Sequence, residues 1–152
     1  MKRICVFPGS FSPFTKGHEA IVNKIYPLFD RIIIAIGDNN KKDPDFSLKK
    51  RIKWIQAIYK ENNKIEITSY SGLTTTFCLK KGAKFMVRGL RNTHDFTYEK
   101  DMCLMNNKLN HNIETIYIIP DNTVNYISSS FVRDIWKNGG DISSFVPKEV
   151  KL

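Results

Sequence analysis

At 152 residues the chain has the length of one domain with its own hydrophobic core. Apolar residues make up 41% and charged residues 26%, a globular composition that excludes a disordered or low-complexity chain. Twenty-four Lys and Arg against 15 Asp and Glu leave a formal charge of +9, which favours anionic partners: nucleic acid, acidic lipid or phosphorylated small molecules.

In chain order, short β-branched runs alternate with helical periodicity. Residues 2–7 read as a strand, and residues 19–29 as a helix with Ile21, Ile25, Leu28 and Phe29 on one face and Pro27 near its end. The run RIIIAIG over 31–37 is apolar almost throughout, as in a strand covered on both faces. Ser47 is the expected N-cap of a helix reaching about residue 61, with Leu48, Ile52, Ile55, Ile58 and Tyr59 inward. Lys49, Lys50, Arg51 and Lys53 fall mostly on its solvated side. Residues 65–70 form the third strand, 74–81 a short helix stopped by Gly82, and 85–88 the fourth strand. A long helix over 92–109 is expected to bury Tyr98, Met102, Met105 and Leu109. Residues 114–119 form the fifth strand and 128–137 a helix closed by Gly139 and Gly140, and Pro147 suits the start of a last short helix.

Five strands separated by helices imply an α/β fold: a doubly wound, five-stranded parallel sheet with right-handed crossovers, in a single domain spanning 1–152. Ligands of such sheets bind beyond the carboxyl ends of the strands, where strand order reverses. Cys5, Cys78 and Cys103 are odd in number and lack CxxC spacing, so they read as small apolar residues in a reducing compartment. The apolar run after Lys2 and Arg3 is too short for a signal peptide, and no segment approaches membrane-spanning length. A cytoplasmic protein with no membrane partner is expected.

Three polar segments occur where strands end. The first is GSFSPFTKGH, residues 9–18. Gly9 lets a ligand approach the main chain, Ser10 offers a hydroxyl, and Gly17 and His18 open a helix whose N-terminus favours an anion. The helix end lowers the His18 pKa and a bound phosphate would raise it; in either case a ring N–H can donate to a phosphoryl oxygen. A plain cap or an exposed position for His18 is the competing reading. The segment has neither GxxxxGK(S/T) nor GxGxxG, so it is neither a P-loop nor a dinucleotide fingerprint. The second is VRGLRNTHDFTYE, residues 87–99: Arg88 and Arg91 bear planar forks suited to phosphate oxygens, and Asp95 and Glu99 stand within helical reach as their structural partners. The third is NYISSSFVRD, residues 125–134, whose consecutive serines at a helix start have the form of an anion site, although an N-cap accounts for one of them. Lys41 and Lys42, after the second strand, can reach a phosphate or remain solvated.

The combination PGSFSPFTKGH, RGLRNTHDFTYE and YISSSFVR closely resembles the phosphopantetheine adenylyltransferases, nucleotidylyltransferases that carry an (H/T)xGH motif, here Thr15-Lys16-Gly17-His18. The resemblance covers essentially the whole chain. It implies a Rossmann-like nucleotidyltransferase fold and transfer of the adenylyl group of ATP to 4′-phosphopantetheine with Mg²⁺. The products are pyrophosphate and dephospho-CoA, in the penultimate step of coenzyme A synthesis. It also implies a homohexamer and feedback binding of coenzyme A. His18 matches the transition-state stabiliser, with Lys42 and Arg91 beside it as catalytic cations. Ser10, Lys42, Thr74 and Arg88 match phosphopantetheine-binding positions. Ser10, Phe11, His18, Gly89, Leu90, Arg91 and Glu99, with Val124, Asn125, Tyr126, Ile127, Ser128, Ser129 and Ser130, match ATP-binding positions. The metal ligands are not implied.

Several positions depart from the family pattern: Ser12 replaces the usual aspartate, Ser10 a threonine and Thr74 an apolar residue, while Asp43 adds a negative charge beside Lys42. A cytidylyltransferase or a nicotinamide-mononucleotide adenylyltransferase is the nearest rival, although these usually follow the third segment's serine with threonines. A basic nucleic-acid-binding domain is the rival from another class, but no reader motif appears and most aromatics lie in apolar faces or strands. No nucleic-acid partner is expected.

Overall fold

The computed structural model of the chain describes residues 2–38 and 45–152. Its elements are β1 (Ile4–Gly9), α1 (Lys16–Ile25), β2 (Arg31–Gly37), α2 (Leu48–Ile58), β3 (Ile65–Tyr70), α3 (Thr74–Lys80), β4 (Phe85–Gly89), α4 (Thr93–Leu109), β5 (Glu114–Ile118) and α5 (Ser129–Lys137). All pairings are parallel, and the sheet order is β3-β2-β1-β4-β5. The chain first winds outward from β1 through β2 to β3, then crosses back to place β4 on the other side of β1. Strand order therefore reverses between β1 and β4, which puts a ligand crevice at their carboxyl ends. All three polar segments open on that edge.

Alternation along each strand builds two apolar layers. Cys5, Phe7, Ile32, Ile34 and Ile36 face a core filled by Ile21, Val22 and Ile25 of α1, Ile55 of α2 and Val132 of α5. Val6, Ile33, Ala35 and Met86 face the opposite way, against Cys78 of α3. The expected doubly wound sheet is present, with its thicker core on the α1–α2–α5 side.

Four expectations need correction. First, α1 begins at Lys16, not residue 19, because Thr15 caps it; Leu28 lies beyond the helix in a turn and is exposed. Second, Pro147 starts a turn rather than a helix, closed by the Val150 N–H donating to its carbonyl at 2.9 Å. Third, Arg51 is buried, whereas its basic neighbours Lys49, Lys50 and Lys53 are exposed. It shares the helical phase of Leu48, Ile55 and Ile58, so its face was readable from spacing.

Fourth, the stripe assigned to the interior of α4 faces outward: Tyr98 is 63%, Met105 62% and Leu109 59% exposed, and Met102 is also exposed. The side turned inward carries Asp95, Glu99, Cys103 and Asn106, at spacings of four, four and three. Ion pairs to Arg88 of β4 and to Arg91 just beyond it fix that rotation. A polar inner face suits a helix that borders an open cleft rather than a core. Cys103 is accordingly only partly buried, unlike Cys5 and Cys78, and no cysteine is paired.

Candidate active site

The turn from β1 into α1 is tightly constrained. A Cβ on Gly9 would lie 2.8 Å from the Phe11 ring, so any side chain there would displace that ring. Phe11 has φ +48°, left-handed backbone that a bulky residue rarely adopts and that clusters at functional sites. The Ser12-Pro13 bond is cis. Thr15 then caps α1, and His18 completes a capping box from the N3 position usually held by Glu or Gln. The Thr15 backbone N–H donates to His18 Nδ1 at 2.9 Å, and the Thr15 hydroxyl lies 3.0 Å from the same nitrogen. The capping reading of His18 is thus correct. It leaves the other ring nitrogen for different work.

With Nδ1 accepting, the neutral ring carries its proton on Nε2. The ring lies among Phe7, Phe11 and Phe14, at centroid distances of 6.3, 5.1 and 5.3 Å. Burial, reinforced by the positive charges of Arg91 and Arg88, pushes the His18 pKa down to about 3. The sequence left the direction open between the helix end and a bound phosphate; burial and the two arginines set it downward.

Arg88 leaves β4 and meets Glu99 of α4, donating from Nε to both carboxylate oxygens at 3.0 Å. A second nitrogen also pairs with Glu99, and Nη1 donates to the Pro8 carbonyl at 3.0 Å. Burial opposes the charge on Arg88, but hydrogen bonding and attraction from Glu99 more than offset it and raise its pKa. Arg91 pairs likewise with Asp95, Nε to Oδ2 at 2.9 Å. Each arginine has the carboxylate partner that helical spacing offered, and each still borders a cleft.

The serines divide their labour. Ser128 caps α5 by accepting the Phe131 N–H at 3.2 Å. Ser129 Oγ donates to the Pro13 carbonyl at 2.8 Å, tying α5 to the first turn. Ser130 Oγ lies 3.2 Å from Ser128 Oγ. Asn125 donates from Nδ2 to the Arg91 carbonyl at 2.9 Å, so the second and third segments are also joined. Two buried polar atoms near the cleft have no partner among the described residues: Ser12 Oγ and Asn125 Oδ1. Ser12 is the position where the resemblance leads one to expect aspartate.

Two clefts meet at this edge. One, of about 400 Å³, is lined by Ser10, Phe11, His18, Gly89, Arg91, Val124, Ile127 and Ser128 to Ser130. The other, of about 570 Å³, extends past Thr74, Tyr98, Met102, Cys103 and Asn106. Pro8, Gly9, Ser10, Arg88, Glu99 and Arg133 belong to both walls. Most residues matched to ATP line the first cleft; of those matched to phosphopantetheine, Thr74 lines only the second, while Ser10 and Arg88 line both. Leu90, Asn125 and Tyr126 do not line either; the Leu90 N–H continues the sheet to the Ile118 carbonyl at 2.9 Å, and Tyr126 is exposed. Lys42 lies outside the described residues.

Sequence reasoning missed Arg51, Arg133 and Lys137. Arg51 and Arg133 bond carbonyls of the first turn and line the larger cleft, and Lys137 pairs with Asp45 at 2.9 Å, as Arg133 does at 3.4 Å. Arg133 and Lys137 stand four apart on α5, a spacing that marked them as one face.

Among the described residues no cluster of three or more His, Cys, Asp or Glu could hold a metal ion. The cleft's carboxylates are engaged by cations: Glu99 and Asp95 by arginines, and Asp45 by Arg133 and Lys137. The described residues therefore do not form a protein metal cage. They fit a divalent ion that arrives on substrate phosphates, as Mg²⁺ commonly does. No described helix is long and apolar enough to cross a membrane.

Comparison with known proteins agrees with this geometry. Residues 6–135 match the family model described as cytidylyltransferase-like. The chain is 45% identical over 150 residues to phosphopantetheine adenylyltransferase of Cytophaga hutchinsonii, covering 99% of this chain and 100% of that protein. It is 46% identical to the phosphopantetheine adenylyltransferase of Flavobacterium psychrophilum, covering 99% of each. Among solved structures it resembles a bifunctional NMN adenylyltransferase/ADP ribose pyrophosphatase from Francisella tularensis, complexed with AMP and a manganese ion. That match has a TM-score of 0.70 and 17% identity over 96% of this chain and 44% of the other, a likeness of fold. With a family model spanning most of its length and relatives this similar end to end, the chain belongs to the cytidylyltransferase-like family and, within it, to the phosphopantetheine adenylyltransferases.

Proposed function

We propose that the protein transfers the adenylyl group of ATP to 4′-phosphopantetheine, releasing pyrophosphate and forming dephospho-CoA. The observation that carries this reading is the wall common to the two clefts, where Ser10, Arg88 and Arg133 stand between a space of about 400 Å³ and one of about 570 Å³. Two anions can be held there in line, which is most of what phosphoryl chemistry asks of a protein.

The acceptor is a phosphate monoester, already ionised at neutral pH, so no general base is needed. ATP occupies the cleft of His18, Arg91 and Ser128 to Ser130, and phosphopantetheine the cleft of Thr74 and Arg88. His18, neutral with its proton on Nε2, donates to an α-phosphate oxygen as charge gathers there. The Phe11 N–H and Ser10 hydroxyl orient the reacting phosphates, and Arg88 and Arg91 offset their charge. Lys42 adds a further cation from the segment after β2. Mg²⁺, carried on the ATP phosphates, supplies additional charge neutralisation when bound. Glu99 serves ATP binding from the wall that the two clefts share.

The exposed apolar face of α4, with Leu104, Met105 and Leu109, supports self-association, for which the family resemblance implies a homohexamer. A single nucleotidylyltransferase domain, working in the cytoplasm and subject to feedback binding of coenzyme A, completes the reading.

The deciding experiment mixes purified protein with Mg²⁺, ATP and 4′-phosphopantetheine and detects dephospho-CoA by mass. Replacing ATP by CTP, or the acceptor by nicotinamide mononucleotide, tests the related activities. Clear preference for either replacement overturns the assignment.

A further inference from the structure

The first turn is held by three arginines from three different elements. Arg88 of β4 donates to the Pro8 carbonyl at 3.0 Å, Arg51 of α2 to the Ser10 carbonyl at 2.6 Å, and Arg133 of α5 to the Ser12 carbonyl. Every second carbonyl of the turn thus faces a guanidinium. In a trans peptide the carbonyl of one residue and the N–H of the next point in opposite directions. A cation that fixes the Ser10 carbonyl therefore fixes the direction of the Phe11 N–H.

We propose that Arg51 is a positioning residue for adenylyl transfer, holding the Ser10–Phe11 peptide so that the Phe11 N–H and the Ser10 hydroxyl present to the reacting phosphates. This rests on the adenylyl-transfer reading given above.

Arg51 suits the task. It is 4% exposed and also donates from Nε to the Phe46 carbonyl at 3.1 Å, so its fork bridges the start of α2 and the first turn. Phe11 holds φ +48°, a conformation that needs outside support in a residue this size. Hydrogen bonding of a cation to the Ser10 oxygen also polarises the peptide and strengthens its N–H as a donor. A lysine supplies charge there but not two diverging bonds.

The test uses Arg51→Lys and Arg51→Met in the full chain, with kcat and KM measured for both substrates. The expected result is a fall in kcat of about 10-fold for lysine and about 10²-fold for methionine, with each KM changed less than about 3-fold. Added guanidinium ion should restore part of the Arg51→Met rate and leave wild type unaffected. In nucleotide-free protein the Phe11 amide resonance should shift in Arg51→Lys. That readout needs no turnover, so it separates failure here from an inactive wild type, which would instead remove the adenylyl-transfer reading. A folded variant with wild-type kcat overturns the proposal, as does an unmoved Phe11 amide. A loss confined to KM for phosphopantetheine makes Arg51 a binding residue and also overturns it. Failure of both variants to fold assigns Arg51 to stability alone and overturns the positioning role as well.

Discussion

The Thr15 backbone N–H donates to Nδ1 of His18 at 2.9 Å, and this bond decides what the imidazole can do. It occupies one nitrogen as an acceptor and leaves Nε2–H as the donor of a ring that lines the cleft. Replacing His18 by alanine should lower kcat by about 10²–10³-fold, the range for a lost oxyanion donor. The ATP dissociation constant, measured by calorimetry, should change only a few-fold. Affinity that collapses together with the rate would remove the transition-state role.

The same ring predicts a pH dependence. Its pKa falls from 6.5 to about 3 on folding, so between those values the unfolded chain binds the proton and the folded chain does not. Stability contributed by neutral His18 is therefore full above pH 6.5 and lost as pH drops through that window. Urea midpoints at about pH 7.5 and about pH 4.5, on either side of the unfolded value, should separate more for wild type than for His18→Gln. An equal separation contradicts the assignment.

Glu99 is the buried residue of α4 and holds Arg88 through both carboxylate oxygens. Glu99→Gln keeps the shape but removes the charge that offsets the burial of Arg88. Unfolding free energy should drop by about 1–3 kcal/mol, the cost of an imperfectly satisfied buried group. Equilibrium urea denaturation checks this, and wild-type stability counts against a structural pair.

Gly9→Ala places a methyl group 2.8 Å from the Phe11 ring. The ring must move, against the packing that surrounds it in the first turn. A loss of about 1–3 kcal/mol is expected from the overpacking, with reduced kcat. Thermal melts and initial rates test both parts; wild-type values for both would mean that the turn yields freely.

The outer face of α4 exposes Leu104 at 63% and Met105 at 62%. If this face joins copies of the chain, Leu104→Glu with Met105→Glu should replace the wild-type assembly by smaller species in sedimentation velocity. An unchanged mass places the contact elsewhere.

Much was legible because local patterns carried it. Alternating β-branched and helical runs imply a doubly wound sheet whichever helices pack best, since parallel neighbours need crossovers. The site segments were legible too, because glycines, a capping threonine and paired guanidiniums each answer to a local constraint. The motif's histidine is itself a cap residue. The inward side of α4 was misread because apolar spacing assumes that a helix faces a core, whereas this one faces a cleft and an arginine.

Sequence by itself determined the order of strands and helices, the three polar turns at the strand ends and the family they resemble. Those depend on neighbours a few residues apart. Tertiary structure alone decided that Arg51, Arg88 and Arg133 converge on one loop, that α4 shows its polar stripe to the sheet, and that two clefts share a wall. Such outcomes join residues up to 121 positions apart. They arise when separately formed elements compete to bury apolar surface while satisfying buried charge, and no local pattern records that balance.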